Sequence, residues 1–272
     1  MLEFRSIIWR ALLYSSALRR KLAFQLKHYH AKDLDIRIPL GEGIYCPSFD
    51  EEISASFSEI FLQQEYLPLL KIMPLPRRWI DLGSYAGFFS LWMEWQCRRT
   101  KRTGESEVLL VDANEKMTQW IMRTLKINKL EKSWQHHCAA IAIGAGDCEY
   151  VQRSYMGSSL GSIDDAPGEK VTVPVLDQTA MLKTFAPPYD LIKVDIEGAE
   201  FEFMQNYPEV LKQTQHLCIE WHSWHAGGGG VSQITQLAEA QGFKVAAEIQ
   251  PARTIPNGAQ TGVLLFLNTK LS

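Results

Sequence analysis

From residue 77 onward, short apolar runs alternate with longer amphipathic stretches. The runs at 77–82, 107–112, 134–141, 189–195, 215–222, 243–248 and 262–267 predict strands. Apolar positions recur at helical spacing in 88–97, 115–126, 198–211 and 231–241, which predicts a helix after most of those strands. Such alternation predicts an α/β fold, with parallel strands joined by crossover helices on both faces. Residues 56–71 also carry helical periodicity, through Phe57, Ile60, Phe61, Leu67 and Leu70, and end near Pro74 and Pro76. Between Gly144 and Asp177 the pattern changes. Residues 147–153 and 170–176 read as a strand pair around a small-residue loop, which is an insertion or a lengthened crossover in the repeating scheme.

The N-terminal part reads differently. Phe4, Ile8, Leu12, Leu18, Leu22, Leu26 and Tyr29 recur at helical spacing, and residues 33–49 are interrupted by Pro39, Gly41, Gly43 and Pro47. The chain is therefore divided into an extension over 1–55 and a main domain over 56–272. The 272 residues carry a net charge of −3, which gives no general argument for nucleic acid. That average hides an asymmetry. Residues 1–32 hold seven basic side chains and one acid, so this segment is +6 and the remainder −9. A basic amphipathic helix of this kind packs on its own domain, packs on a second copy in a homodimer, or lies on a membrane surface through residues 1–30. No run of 18 uncharged apolar residues occurs, so no membrane span is expected. The five cysteines are scattered with no C-x-x-C pair, which argues against a zinc knuckle or a disulfide framework and suits reduced thiols in the cytoplasm.

Three segments carry candidate chemistry. The first is Asp81-Leu82-Gly83-Ser84-Tyr85-Ala86-Gly87-Phe88, in which a strand ends in an acid, a glycine loop and a helix start. The glycines allow a tight turn and close ligand approach, and the helix start offers free N–H groups. The spacing D-x-G-x-x-x-G lacks the third glycine of the dinucleotide pattern. Asp81 suits a cationic group such as an amine or a sulfonium better than a pyrophosphate. The second segment, Val111-Asp112-Ala113-Asn114, puts an acid at the end of the next strand. Asp112 there either accepts ribose hydroxyls or caps the following helix. Ala140, near the end of the third strand, leaves room for an adenine. The third segment, Lys193-Val194-Asp195-Ile196-Glu197-Gly198-Ala199-Glu200, crowds acids around a glycine turn at a strand's carboxyl end, where open α/β sheets hold ligands. Glu200 reads either as part of that site or as a helix cap.

These segments, with Asn128, Leu176-Asp177 and Ile219-Glu220-Trp221-His222, resemble the FkbM family of S-adenosylmethionine-dependent methyltransferases over roughly residues 56–245. Tyr85 stands where that family often has Asn, and Asp112-Ala113 where Glu-Pro is common. The resemblance implies a Rossmann-like class I methyltransferase fold: seven strands, mostly parallel, with the last one reversed. It also implies methyl transfer from S-adenosylmethionine, usually to a hydroxyl of a sugar, lipid or natural product. Asp81, Gly83, Ser84, Tyr85, Gly87, Phe88, Asp112, Ala113, Ala140 and Asp195 are the expected cofactor contacts. An alcohol acceptor must lose its proton, so His222, Asp195, Glu197 and Lys193 are the candidate catalytic groups, with His222 or Asp195 as the proton acceptor. Glu220, His222 and His225 with Asp195 admit a metal-binding reading, although the expected site has no metal. An NAD-type oxidoreductase and a non-catalytic cofactor-binding scaffold docking on a membrane or partner are the alternatives.

Overall fold

In the computed structural model the described residues are 15–30, 34, 37–47, 53–102, 105–152, 168–224, 229–255 and 258–271. Most of the expected small-residue loop, the proposed ligand His225 and the first half of the basic helix lie outside them. So do two of the four glycines at 227–230.

The second half of the basic helix forms α1 (Ser16–Gln25), with Ser15 capping its N-terminus by accepting the Leu18 N–H, and continues as a π-helical turn over Leu26–His30. It rests on the main domain. Arg20 is buried, donates to the Leu40 carbonyl and stacks over Trp95, and Phe24 stacks on Phe57. The hairpin β1 (Ile38–Gly41) and β2 (Ile44–Cys46) follows, and its apolar residues join the main core. Asn128 clamps that hairpin, accepting the Tyr45 N–H and donating to the Tyr45 carbonyl.

The next segment departs from the single helix expected over 56–71. It forms α2 (Ser54–Phe57), a π-helical turn (Ser58–Gln63) and, after a break, α3 (Leu69–Ile72). Gln64 adopts a left-handed backbone at the break, and Pro68 starts the second piece.

The main sheet is built from β3 (Arg78–Leu82), β4 (Glu107–Asp112) and β5 (Trp134–Cys138), joined through α4 (Phe88–Arg99) and α5 (Glu115–Asn128). The hairpin β6 (Asp147–Gln152) and β7 (Glu169–Pro174) is the expected insertion. Then come α6 (Gln178–Thr184), β8 (Tyr189–Val194), α7 (Glu200–Asn206), α8 (Pro208–Leu211) and β9 (Thr214–His222). The chain closes with α9 (Val231–Ala240), β10 (Phe243–Thr254) and β11 (Gln260–Asn268). The spatial order is β10-β11-β9-β8-β3-β4-β5, with only β11 reversed, as the resemblance implies. Three local differences from the sequence reading stand out, two of them with a clear local cause. Pro208 cannot continue a helix, so the expected 198–211 helix splits in two. The strand from Trp134 stops at Cys138. The unexpected α6 starts where Asp177 accepts the Ala180 N–H.

Apolar residues on successive strand positions enter opposite cores. Val108 and Leu110 belong to the core that holds residues of α4 and α5, whereas Leu109 and Val111 belong to the core that holds residues of α6, α7 and α9. Both faces are covered, which is why these strands read as continuous apolar runs. Among the described residues no helix is long and apolar enough to cross a membrane.

Candidate active site

The carboxyl ends of β3, β4, β8 and β9 lie side by side, and each contributes one part of the site. The glycine loop after β3 is held from β4: the Gly83 and Ser84 N–H groups both donate to the Val111 carbonyl. The Tyr85 N–H donates to one oxygen of Asp112 at 2.6 Å, and the Asn114 N–H donates to the other at 2.8 Å. The helix cap beyond is Asn114, which accepts the Lys116 N–H, so Asp112 does not serve as that cap. A carboxylate has about four lone-pair sites, and two on Asp112 remain for a ligand. Tyr85 takes a left-handed backbone, φ 48°. Asn adopts that region more easily than Tyr, which accounts for the usual Asn here, while the backbone N–H serves Asp112 whatever the side chain.

Gly83 is required by its surroundings. Its φ is +71°, and a Cβ there would sit 1.6 Å from the Asp195 carbonyl oxygen. The loop therefore lies directly against the end of β8, where the Asp195 N–H donates to the Leu82 carbonyl. Asp81 is fully buried; one of its oxygens accepts from Ser90 Oγ, which in turn accepts from Trp79 Nε1. Its other oxygen and Ser84 Oγ are buried with no hydrogen-bond partner in the structure.

Some expected contacts sit elsewhere. The Phe88 ring packs edge-on against Phe57 and Phe61, so this residue offers the site only its backbone at the start of α4. Ala140 lies beneath the β6–β7 hairpin against Tyr150 and Val173, with Ala113 beside them. Its side chain is buried there rather than at the end of a strand. The reason is that β5 ends before it, and Ala140 instead bridges to Val175.

The second half of the site gathers at β8, β9 and the turn before α7. Lys193 Nζ is 2.8 Å from Asp195 Oδ2, and one ligand atom from each of Asp195, Glu197 and His222 lies within 4.8 Å of the others. Glu200, fully buried, accepts the Ile196 and Gly198 N–H groups and sits 2.9 Å from His222 Nδ1. It thus both caps the turn, as one sequence reading has it, and orients the imidazole. Glu65, which sequence reasoning does not find, accepts from Gln250 and lies near enough to Lys193 and Asp195 to feel both charges.

Charge assigns roles within this group. Burial opposes a charge on Lys193, but Asp195 and Asp81 outweigh it and raise the amine above its ordinary value. Burial opposes a charge on His222 too, yet Glu200, Glu197 and Asp195 bring the imidazole up to about 10. Both residues are therefore cations in ion pairs at neutral pH, which does not suit either as a proton acceptor. The carboxylates move the other way. Burial pushes Glu197 up to about 7 and Glu220, with Asp195 beside it, up to about 8. Burial and Glu59 push Glu65 up to about 7.

No curated protein matches the chain. Among solved structures, the O-methyltransferase TomG from Streptomyces achromogenes, in complex with SAM, is 11% identical, with 92% of this chain and 98% of that one covered and a TM-score of 0.46. The O-methyltransferase from Bacillus cereus, in complex with SAH, is also 11% identical, with 76% of this chain and 80% of that one covered and a TM-score of 0.44. The family model of the methyltransferase FkbM domain matches residues 81–245, from the acid before the glycine loop to the start of β10. That is more than half of the sequence, and the chain belongs to the FkbM methyltransferase family.

Proposed function

We propose that this protein is an O-methyltransferase that takes its methyl group from S-adenosylmethionine and acts on a hydroxyl of a small or lipid-linked acceptor. The observation that carries this reading is the juxtaposition of a loop tied to Asp112 with a carboxylate-rich cluster that begins one backbone contact away, at Asp195. The residues present fit the cofactor. Asp112 keeps free lone pairs for two ribose hydroxyls, and the unpartnered oxygen of buried Asp81 suits a cationic group. When bound, S-adenosylmethionine supplies an activated methyl carbon on a sulfonium.

The acceptor side supports oxygen as the nucleophile. Acids crowded around Asp195 would hold an amine acceptor as an unreactive ammonium ion, whereas an alcohol needs a group that receives its proton. Lys193 holds Asp195 in place, and Glu200 holds His222, so the two cations fix the walls of the cleft. The half-buried carboxylate of Glu197, brought up to about 7, receives the hydroxyl proton, being ionised often enough at neutral pH and still basic enough to hold it. Incubation with methyl-labelled S-adenosylmethionine and a panel of sugar, lipid and polyketide alcohols tests this reading. Label in an ether product is expected; label confined to amines, or none in any acceptor, would oppose it.

Asp112 makes cofactor binding depend on pH. Burial raises its carboxyl to about 6, although the Asn114 and Tyr85 N–H groups pull it down. Ribose hydroxyls donate to the ionised form, so affinity is steady well above pH 6. Below pH 6 it falls about tenfold per unit as the proton takes the site. Titrations with S-adenosylhomocysteine between pH 5 and 8 measure this directly.

A further inference from the structure

We infer that Asp195, Glu197 and His222 form a binding site for one hard divalent cation, Mg²⁺ or Mn²⁺, beside the acceptor hydroxyl. The inference rests on the hydroxyl-acceptor reading above and adds a metal to it.

Two carboxylates and an imidazole supply oxygen-rich ligation with one nitrogen, which suits Mg²⁺ or Mn²⁺ and leaves positions open for water or substrate. His222 ends β9, and Asp195 and Glu197 lie on the turn that follows the neighbouring parallel strand β8, so the fold itself brings them together. One donor atom from each already lies within 4.8 Å of the others. Ligands about 2.1 Å from an octahedral ion stand about 3 Å apart. Filling the site therefore draws the side chains together by an ångström or two, and Asp195 and Glu197, both only partly buried, have room for that movement.

A second observation separates this group from an ordinary acidic cluster. His222 Nδ1 is engaged by Glu200, and Glu200 is fixed in turn by the backbone N–H groups of Ile196 and Gly198. A carboxylate that grips one imidazole nitrogen and sets the ring's orientation is the usual support of a metal-binding histidine; the imidazolium releases the proton on its other nitrogen to solvent as the ion takes that place, so binding weakens as pH falls. The same turn carries Glu197, so the residues that orient the imidazole also place a second ligand. Lys193 is paired with one oxygen of Asp195, leaving the other for the cation. His225 lies outside the described residues, and Glu220 is not among the three grouped donors.

The chemical consequence concerns the acceptor. A hydroxyl oxygen in an open position of the cation becomes more acidic. Its O–H bond breaks, the proton passes to water, and the oxygen stays on the cation, aimed at the methyl carbon. Under this arrangement Glu197 acts as a ligand, and the cation, by making the hydroxyl more acidic, replaces the proton acceptance that Glu197 provides in the metal-free cleft.

The test is calorimetric titration of the full chain, stripped with chelator, with MnCl₂ and MgCl₂, before and after saturation with S-adenosylhomocysteine. One saturable site per chain is expected, weakened at least tenfold in Glu197→Gln and in His222→Gln, with circular dichroism confirming that each variant is folded. No saturable binding up to millimolar cation, or equal affinity in wild type and Glu197→Gln, would overturn the site. Binding of S-adenosylhomocysteine without Mn²⁺ binding removes the metal alone. Failure to bind S-adenosylhomocysteine in wild type removes the methyl-transfer reading instead.

Discussion

Replacing Gly83 by Ala abolishes cofactor binding and lowers stability by several kcal/mol. Two costs add. A left-handed backbone at a residue with a Cβ costs about 1–2 kcal/mol. The new methyl would also sit 1.6 Å from the Asp195 carbonyl, so either the loop or the end of β8 must move. Forced repacking of this kind typically costs about 1–3 kcal/mol. The sum is a large share of the roughly 5–15 kcal/mol that holds a domain together. Movement also breaks the alignment on which the site depends, since the neighbouring N–H groups of Ser84 and Tyr85 are tied to Val111 and Asp112. Gly87→Ala is the control. Its φ is +75°, but the nearest atoms to its added Cβ are 3.8 Å away, so it bears only the backbone cost. Urea denaturation and S-adenosylhomocysteine titration of the two variants should place Gly83→Ala well below Gly87→Ala in both stability and affinity. Equal behaviour would show that the close approach to Asp195 does not matter.

Glu200→Ala is the second large effect, expected at about 3–5 kcal/mol, the usual cost of removing one partner of a buried ion pair. Glu200 has no exposed surface, and its removal strands the His222 imidazole and two backbone N–H groups. Glu200→Gln keeps a carbonyl oxygen for the N–H donors and should lose clearly less. Thermal and urea unfolding of the pair measure the difference. If Glu200→Ala unfolds like wild type, the assignment of Glu200 as the support of the turn and of His222 is wrong. In both variants catalysis should fall further than S-adenosylhomocysteine affinity, because Glu200 touches the acceptor side.

The sequence shows the sheet clearly because both of its faces are covered, so each strand is a compact apolar run with turn residues beside it. Boundaries set by a single residue escape the periodicity reading, although local rules explain them once seen: the split at Pro208 and the caps at Asn114 and Asp177. The site was legible where one segment carries the whole geometry, as in the glycine loop and the Asp195–Glu200 turn. It was not legible where distant segments meet. Glu65 and Gln250 reach each other from positions 185 residues apart, and nothing local marks either. Charge states are hidden for the same reason: Lys193 and His222 read as candidate bases until their partners, half-buried Asp195 and fully buried Glu200, fix them as cations. Ala140 reads as open space because its covering hairpin comes later in the chain.

The account turns on a cofactor held by the glycine loop and Asp112. Its most direct test is calorimetric titration of wild type and Asp112→Ala with S-adenosylhomocysteine, and of wild type with NAD. The account predicts saturable 1:1 binding of S-adenosylhomocysteine, weakened at least about tenfold by the loss of hydrogen bonds to a charged carboxylate, and no saturable binding of NAD. Binding of NAD without S-adenosylhomocysteine, or an Asp112→Ala variant that binds S-adenosylhomocysteine as tightly as wild type, would contradict it.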